Sequence, residues 1–270
     1  MALKIDIRKA FDSIDWDFLI IVLHNLGFSN KLCSWIQAIF NSARISILLN
    51  GSPKGYVSCS RGVRQGDPLS PHLFCLAEDY LNRRLMQLFG ELSLVPMYAT
   101  PSVRCPSHFL YADDVLIFCR ATQANINKLV SVFEEYGVIS GQRVNWGKSN
   151  IYFGSSVPSS RAFLLSNLVG MKMASFPLHY LGVPLFQGAP KRRWLQGLAD
   201  KVLAKFDSWT GKMLSMAGQV ALVNSVIYGS FLHSFMIYKW RLLMLKFMEK
   251  SIHNFIWMGS ITEKKLVTVK

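Results

Sequence analysis

Three carboxylates stand where a chain rarely places them. Asp6 lies in the alternating run Leu3–Ile7, and Asp113 and Asp114 close the tetrapeptide Tyr111-Ala112-Asp113-Asp114. That tetrapeptide is flanked by His108-Phe109-Leu110 and Val115-Leu116-Ile117-Phe118. Burying an unpaired carboxylate is costly. Two strand-borne acids far apart in sequence can converge on one sheet, where their repulsion calls for a counter-charge. A divalent cation supplies it efficiently. Mg²⁺ takes one or two carboxylates and completes its shell with water and phosphate oxygens. Two such ions about 3.5–4 Å apart clamp the attacking and leaving oxygens of a phosphoryl transfer. The plain alternative is a solvated hairpin turn, which Asp favours. Taken alone, Ala112-Asp113-Asp114 fits that alternative better, and Asp6 alone fits an edge-strand surface position.

Local patterns predict the elements that must carry these acids. Leu3–Ile7 alternates as a strand does, and the Tyr111–Asp114 segment reads as two short strands with the acids at their tight turn. Asp15 is placed to cap a helix running to about Leu26, with Gly27 as its stop. Ser29 is placed to cap a second, carrying Leu32, Trp35, Ile36, Ile39 and Phe40. Residues 44–59 read as a hairpin around Asn50-Gly51. Ser70 is the expected N-cap of a helix with Pro71 at its first position and Gly90 after its end. Thr122 opens an amphipathic helix, and the stretch 143–154 reads as a strand. From Pro190 onward the pattern is mainly helical.

Composition narrows the partners. The chain has 270 residues, 51% of them hydrophobic, and 30 Lys plus Arg against 16 acids, a net charge of +14. Residues 187–270 hold 13 basic and 4 acidic residues, a net +9. Such an excess points to a polyanion, nucleic acid before membrane, although a basic solvated surface has the same composition. The five cysteines, 33, 59, 75, 105 and 119, form no C-x-x-C pair. They read as reduced, buried thiols of an intracellular protein of nucleus or cytoplasm. No apolar run reaches membrane-spanning length. The six histidines show no metal-ligand spacing.

Taken together, the motifs resemble the reverse transcriptase of a plant non-LTR (LINE-type) retrotransposon, over nearly the whole chain. DIRKAFD (6–12) is similar to motif A, RGVRQGDPLSPHLF (61–74) to motif B, YADD (111–114) to motif C, GQRVNWGKSN (141–150) to motif D and HYLGVPL (179–185) to motif E. LSMAGQVALVNSVI and IHNFIWMG resemble the segment that follows the polymerase core in plant elements. The resemblance implies an α+β fold: a right-hand polymerase palm over 1–186, an antiparallel sheet backed by helices, then a mainly helical basic thumb over 187–270.

It also implies site roles. Asp6 and Asp113 would hold two Mg²⁺ ions, or Mn²⁺ in their place, with the Ile7 carbonyl as a backbone ligand and Asp114 in support. A primer 3′-OH would attack the α-phosphate of a dNTP, with RNA as template and DNA as primer. Phe11 falls at the steric-gate position, where a ring rejects a 2′-OH by clash; a core aromatic would look the same. Gln65 and Gly66 would line the nascent pair, with glycine allowing close backbone approach. Lys148 would protonate or neutralise the leaving pyrophosphate, unless it is an ordinary surface lysine. Tyr180, Leu181 and Gly182 would form a primer grip. Lys191, Arg192, Arg193, Lys201, Lys205 and Lys212 would contact phosphates.

The fingers expected ahead of motif A, and the upstream endonuclease usual in such elements, find no counterpart in the sequence. This predicts a truncated copy that binds nucleic acid better than it polymerises. The alternatives are a non-catalytic nucleic-acid-binding remnant or the product of a decayed element with no role.

Overall fold

The computed structural model describes residues 1–100, 102–186, 192–207 and 214–260. The chain forms two compact units, Met1–Ser175 and Phe176–Lys270.

The first unit is built on one sheet. Strand β1 (Ala2–Arg8) runs through its middle and buries Leu3, Ile5 and Ile7, while Lys4 and Asp6 stay half-exposed on the other face. That is the outcome period-2 alternation dictates. A short helix α1 (Ala10–Ser13) follows, then α2 (Trp16–Asn25) and α3 (Asn30–Ser42). Asp15 Oδ1 accepts from the Phe18 N–H at 3.0 Å, and Ser29 Oγ from the Leu32 N–H at 3.3 Å, so both expected caps form. Trp35 and Ile39, expected on the packed face of α3, are instead 57% and 49% exposed.

Strands β2 (Arg44–Leu49) and β3 (Ser52–Ser58) make a separate two-stranded hairpin turning at Asn50-Gly51. Helix α4 (Ser70–Gly90) comes next. Its entry differs from expectation. Leu69 is already helical, and Asp67 Oδ1 accepts from the Leu69 N–H at 2.8 Å, so Ser70 is inside the helix rather than its cap. Gly90 ends the helix from within.

Strands β4 (Tyr98–Thr100) and β5 (Val103–Arg104) form a small satellite hairpin. β6 (His108–Tyr111) and β7 (Asp114–Phe118) then join the main sheet, followed by α5 (Gln123–Ser140). The stretch expected as one strand at 143–154 is two: β8 (Arg143–Val144) and β9 (Asn150–Tyr152). Helix α6 (Ser159–Val169) and strand β10 (Lys172–Ala174) complete the unit. The sheet order is β10-β9-β1-β7-β6, with β8 also pairing β1; every pairing is antiparallel except β9 with β10. Leu19, Leu23, Leu81, Leu85, Leu129 and Phe133 from α2, α4 and α5 belong to the same core cluster as the buried side chains of β1 and β7.

The second unit opens with the hairpin β11 (Leu178–Tyr180) and β12 (Val183–Leu185). Leu181 and Gly182 occupy its turn with φ of 50° and 79°. It continues as α7 (Arg192–Asp207), α8 (Met216–Leu222), a π-helical turn at Val223–Tyr228, α9 (Gly229–Ile237) and α10 (Leu242–Met258). Leu195, Val202, Phe206, Ile227, Met244 and Phe255 form its core. Among the described residues no helix is long and apolar enough to cross a membrane. All five cysteines are free; Cys33 and Cys119 are buried, but Cys75 is exposed and Cys59 and Cys105 half-buried, against the expectation of uniformly buried thiols.

Candidate active site

Two neighbouring strands bring the acids together. Asp6 on β1 lies directly opposite Asp114 on β7, and the Ile7 N–H donates to the Asp113 carbonyl at 3.0 Å. The β6–β7 turn lifts Asp113 into solvent, while Val115, Leu116 and Ile117 behind it are fully buried. The turn needs Ala112 at φ 50°, a left-handed conformation that a residue with a Cβ adopts at a cost.

The three acids differ in their surroundings. Burial raises the Asp6 pKa, Lys148 opposes that rise, and the charges of Asp113 and Asp114 add to it. Asp114 is ion-paired with Lys4 at 3.2 Å. Beneath the turn, Glu78 on α4 is 6% exposed, and its Oε1 has no hydrogen-bond partner. Burial first, and the Asp113 charge second, push its pKa up to about 8. Among the described residues no three acid, His or Cys side chains converge closely enough to enclose a cation unaided. A Mg²⁺ that takes only one or two carboxylates, with water and phosphate oxygens for the rest, does not require such a cage. Asp6 and Asp113, carboxylates on adjoining ends of β1 and the β6–β7 turn, offer that donor set.

The motif A turn and the motif B loop are sealed together by the backbone. Val63 N–H donates to the Phe11 carbonyl at 2.7 Å, Gly62 N–H to the Ile14 carbonyl at 2.7 Å, and Trp16 Nε1 to the Gly62 carbonyl at 2.8 Å. Gly62 has φ 83°, and a Cβ there would meet the Asp12 carbonyl oxygen at 2.6 Å. Only glycine allows this approach. Gly66, expected to allow close backbone approach, has φ 91° and open space around it instead. Gln65 Nε2 donates to Asp12 Oδ1 at 3.4 Å. Phe11 stacks on Phe74 of α4 with ring centroids 4.2 Å apart and planes 7° apart, so its packing role is real whatever else it does. A cavity of about 550 Å³ lies along this seam, lined among others by Trp16, Phe40, Arg61, Arg64 and Gln65.

Lys148 sits in the loop between β8 and β9, exposed, with its charge felt at Asp6. Tyr180, Leu181 and Gly182 form the β11–β12 hairpin of the second unit. Lys201 and Lys205 are exposed on α7, and Lys205 Nζ donates to Ser230 Oγ at 2.9 Å. Of Arg192 and Arg193 only the helical backbone is described, and Lys191 and Lys212 lie outside the described residues.

Comparison with known proteins gives concordant results. A family model described as reverse transcriptase (RNA-dependent DNA polymerase) matches residues 1–185. The uncharacterized 149 kDa protein of transposon TX1 from Xenopus laevis is 27% identical over 262 residues, 95% of this chain and 19% of that protein. A Pol polyprotein of the type-1 retrotransposable element R2 from Popillia japonica is 30% identical over 114 residues, 42% of this chain and 18% of that one. The chain thus spans about a fifth of the length of these curated relatives. A solved structure of telomerase from Candida tropicalis, in complex with a TWJ fragment of telomeric RNA, superposes with a TM-score of 0.50 at 13% identity. That match covers 97% of this chain and 44% of the telomerase, and it supports an α+β right-hand polymerase fold.

Proposed function

This chain belongs to the reverse transcriptase (RNA-dependent DNA polymerase) family, of the non-LTR retrotransposon type, and from that premise we propose that it is the palm (1–186) and helical thumb (187–270) of a plant-type element's RNA-directed DNA polymerase. The observation that carries this reading is the meeting of Asp6 with Asp113 and Asp114 at one point of the sheet.

In this reading Asp6 and Asp113 would hold the divalent cations, and the Ile7 carbonyl would offer a further oxygen. Bound Mg²⁺ would neutralise charge at the α-phosphate and lower the pKa of the primer 3′-OH. Asp114, tied to Lys4, steadies the turn from the side. The 3′-OH gives its proton to solvent, its oxygen bonds the α-phosphorus of the dNTP, and the bond from that phosphorus to pyrophosphate breaks with its electrons on the leaving group. Lys148 neutralises that leaving group or gives it a proton. Phe11, fixed by its stack on Phe74, stands under the sugar and excludes a 2′-OH. Gln65 and Gly66 border the nascent pair, and Tyr180-Leu181-Gly182 grip the primer. The basic residues of α7 hold the RNA–DNA duplex by its phosphates, without reading sequence.

Primer extension on an RNA template with dNTPs and Mg²⁺ tests the reading. Extension is expected to be weak beside binding, and to vanish on Asp113→Asn, because a neutral amide is a poorer Mg²⁺ ligand. Equal extension by the variant would remove Asp113 from the mechanism. Salt-sensitive duplex binding with no extension by either protein would favour the remnant reading, which the exposed Lys201 and Lys205 also support.

A further inference from the structure

The strand on the far side of β1 is broken opposite Asp6. β9 pairs with β1 as far as Lys4↔Asn150, and β8 resumes the ladder at Ile7↔Val144 and Arg8↔Arg143. The two registers differ by three residues, and that surplus is the loop Trp146-Gly147-Lys148. An unbroken antiparallel strand would offer a carbonyl to the Asp6 N–H. Here the acceptor is a side chain: Asp6 N–H donates to Ser149 Oγ at 3.1 Å. The same hydroxyl donates to the Asn145 carbonyl at 2.8 Å. Asn145 N–H in turn donates to the Asp6 carbonyl at 2.8 Å. The Asn145 carbonyl also accepts from the N–H groups of Lys148 and Ser149 at 3.1 and 3.0 Å. Both ends of the loop are therefore pinned to the peptide of one residue, Asp6, and the hydroxyl that closes the circuit is 1% exposed.

This arrangement goes beyond filling a gap in a ladder. A β-bulge re-aims side chains locally, and this break sets the exposed Lys148 one residue from the hydroxyl bonded to the Asp6 N–H. We propose that Ser149 is a positioning residue, whose hydroxyl latches the Lys148 loop onto the Asp6 peptide so that cation and carboxylate keep a fixed relation. The proposal rests on the polymerase reading for its catalytic consequence, but not for the latch itself. Without the hydroxyl, the half-buried Asp6 N–H loses its partner and the loop loses its closure. The core cluster of the unit is built from β1, β7 and the helices without this hydroxyl, so the unit should stay folded while the loop loosens.

Two measurements on the whole chain test this. The first is hydrogen exchange of single backbone amides in the wild type, Ser149→Ala and Ser149→Cys, the last keeping the volume with a weak acceptor. The Asp6 amide should exchange at least about tenfold faster in both variants, the equivalent of about 1.4 kcal/mol. The Ile7 amide, bonded to Asp113 on the other side, should not change. An unchanged Asp6 amide, or equal acceleration of both amides through global loosening, overturns the latch. The second is a double-mutant cycle on primer extension with Lys148→Ala. If Ser149 acts by placing Lys148, Ser149→Ala should lower kcat about fivefold or more with KM for dNTP unchanged, and change it less than twofold once Lys148 is gone. Independent, multiplying losses would reduce Ser149 to a packing role and overturn the proposal. Absence of extension by the wild type would count against the polymerase reading alone, since amide exchange decides the latch without it.

Discussion

Two hairpins in the first unit have similar apolar sequences and opposite fates. In β6–β7 the residues Val115, Leu116 and Ile117 are fully buried. In β2–β3 the residues Ile45, Ile47, Leu48 and Val57 are 59–71% exposed. The difference lies in the neighbour. β7 is zipped along its whole length to β1, with β6 on its other edge, whereas β2 and β3 pair only with each other. Their turns differ as well. Asn50-Gly51 takes φ 49° and 78° with residues suited to it, whereas the acid-bearing turn forces Ala112 to φ 50°. Alternation selects a hairpin, but only the partner strand decides whether it becomes core. The strained turn is the one that carries the candidate chemistry.

This contrast can be broken at several points. The largest effect belongs to β7: Ile117→Ala should cost about 2–5 kcal/mol in chemical denaturation, because it opens a cavity in a packed core. A cost below about 1 kcal/mol would mean that β7 is no better anchored than β3. Next is Glu78, under the same turn. Its pKa rises from 4.5 in the open chain to about 8 in the fold, so the folded chain keeps a proton that the unfolded chain releases. The associated stability is complete below pH 4.5 and is lost as pH rises through about 8. Glu78→Gln escapes that loss. In metal-free buffer its advantage over the wild type should grow with pH, reaching on the order of 3 kcal/mol at pH 7. A pH-independent difference would contradict this account of Glu78.

A smaller effect is expected at the turn itself. Ala112→Gly should relieve roughly 1–2 kcal/mol of left-handed strain, offset by roughly 0.5–1 kcal/mol of added chain entropy. The net gain in thermal or chemical unfolding should be between about 0 and 1.5 kcal/mol. The smallest belongs to β2–β3, where Ile47→Ala should change stability by no more than about 0.5 kcal/mol. A loss as large as that of Ile117→Ala would show that the hairpin is buried in solution.

What the sequence revealed follows the range of each signal. Local chemistry was legible: the Asp15, Ser29 and Thr122 caps all form, because a side-chain oxygen and an N–H three residues on settle them without help. The strand character of the two acid-bearing segments was legible too, and β1 and β7 pair with Asp6 opposite Asp114. The exposure of Trp35 and Ile39 was not, since a helical stripe says nothing of whether a partner is there. The break between β8 and β9 is hinted at by Asn145 and Gly147, residues poor in strands, but only the Asp6 peptide explains where it falls. Gly62 and Glu78 share that character. Each matters through a contact with a residue distant in sequence, an Asp12 carbonyl or an Asp113 charge, that local periodicity does not encode.

We propose that Asp6 and Asp113 together hold a divalent cation. The most direct test is Mn²⁺ titration, followed by water-proton relaxation, of the 270-residue chain beside Asp6→Asn and Asp113→Asn, each checked by circular dichroism for an intact fold. The account predicts saturable binding to the wild type and a weakening of at least about tenfold in each variant. Mn²⁺ bound equally well by all three folded proteins would contradict it.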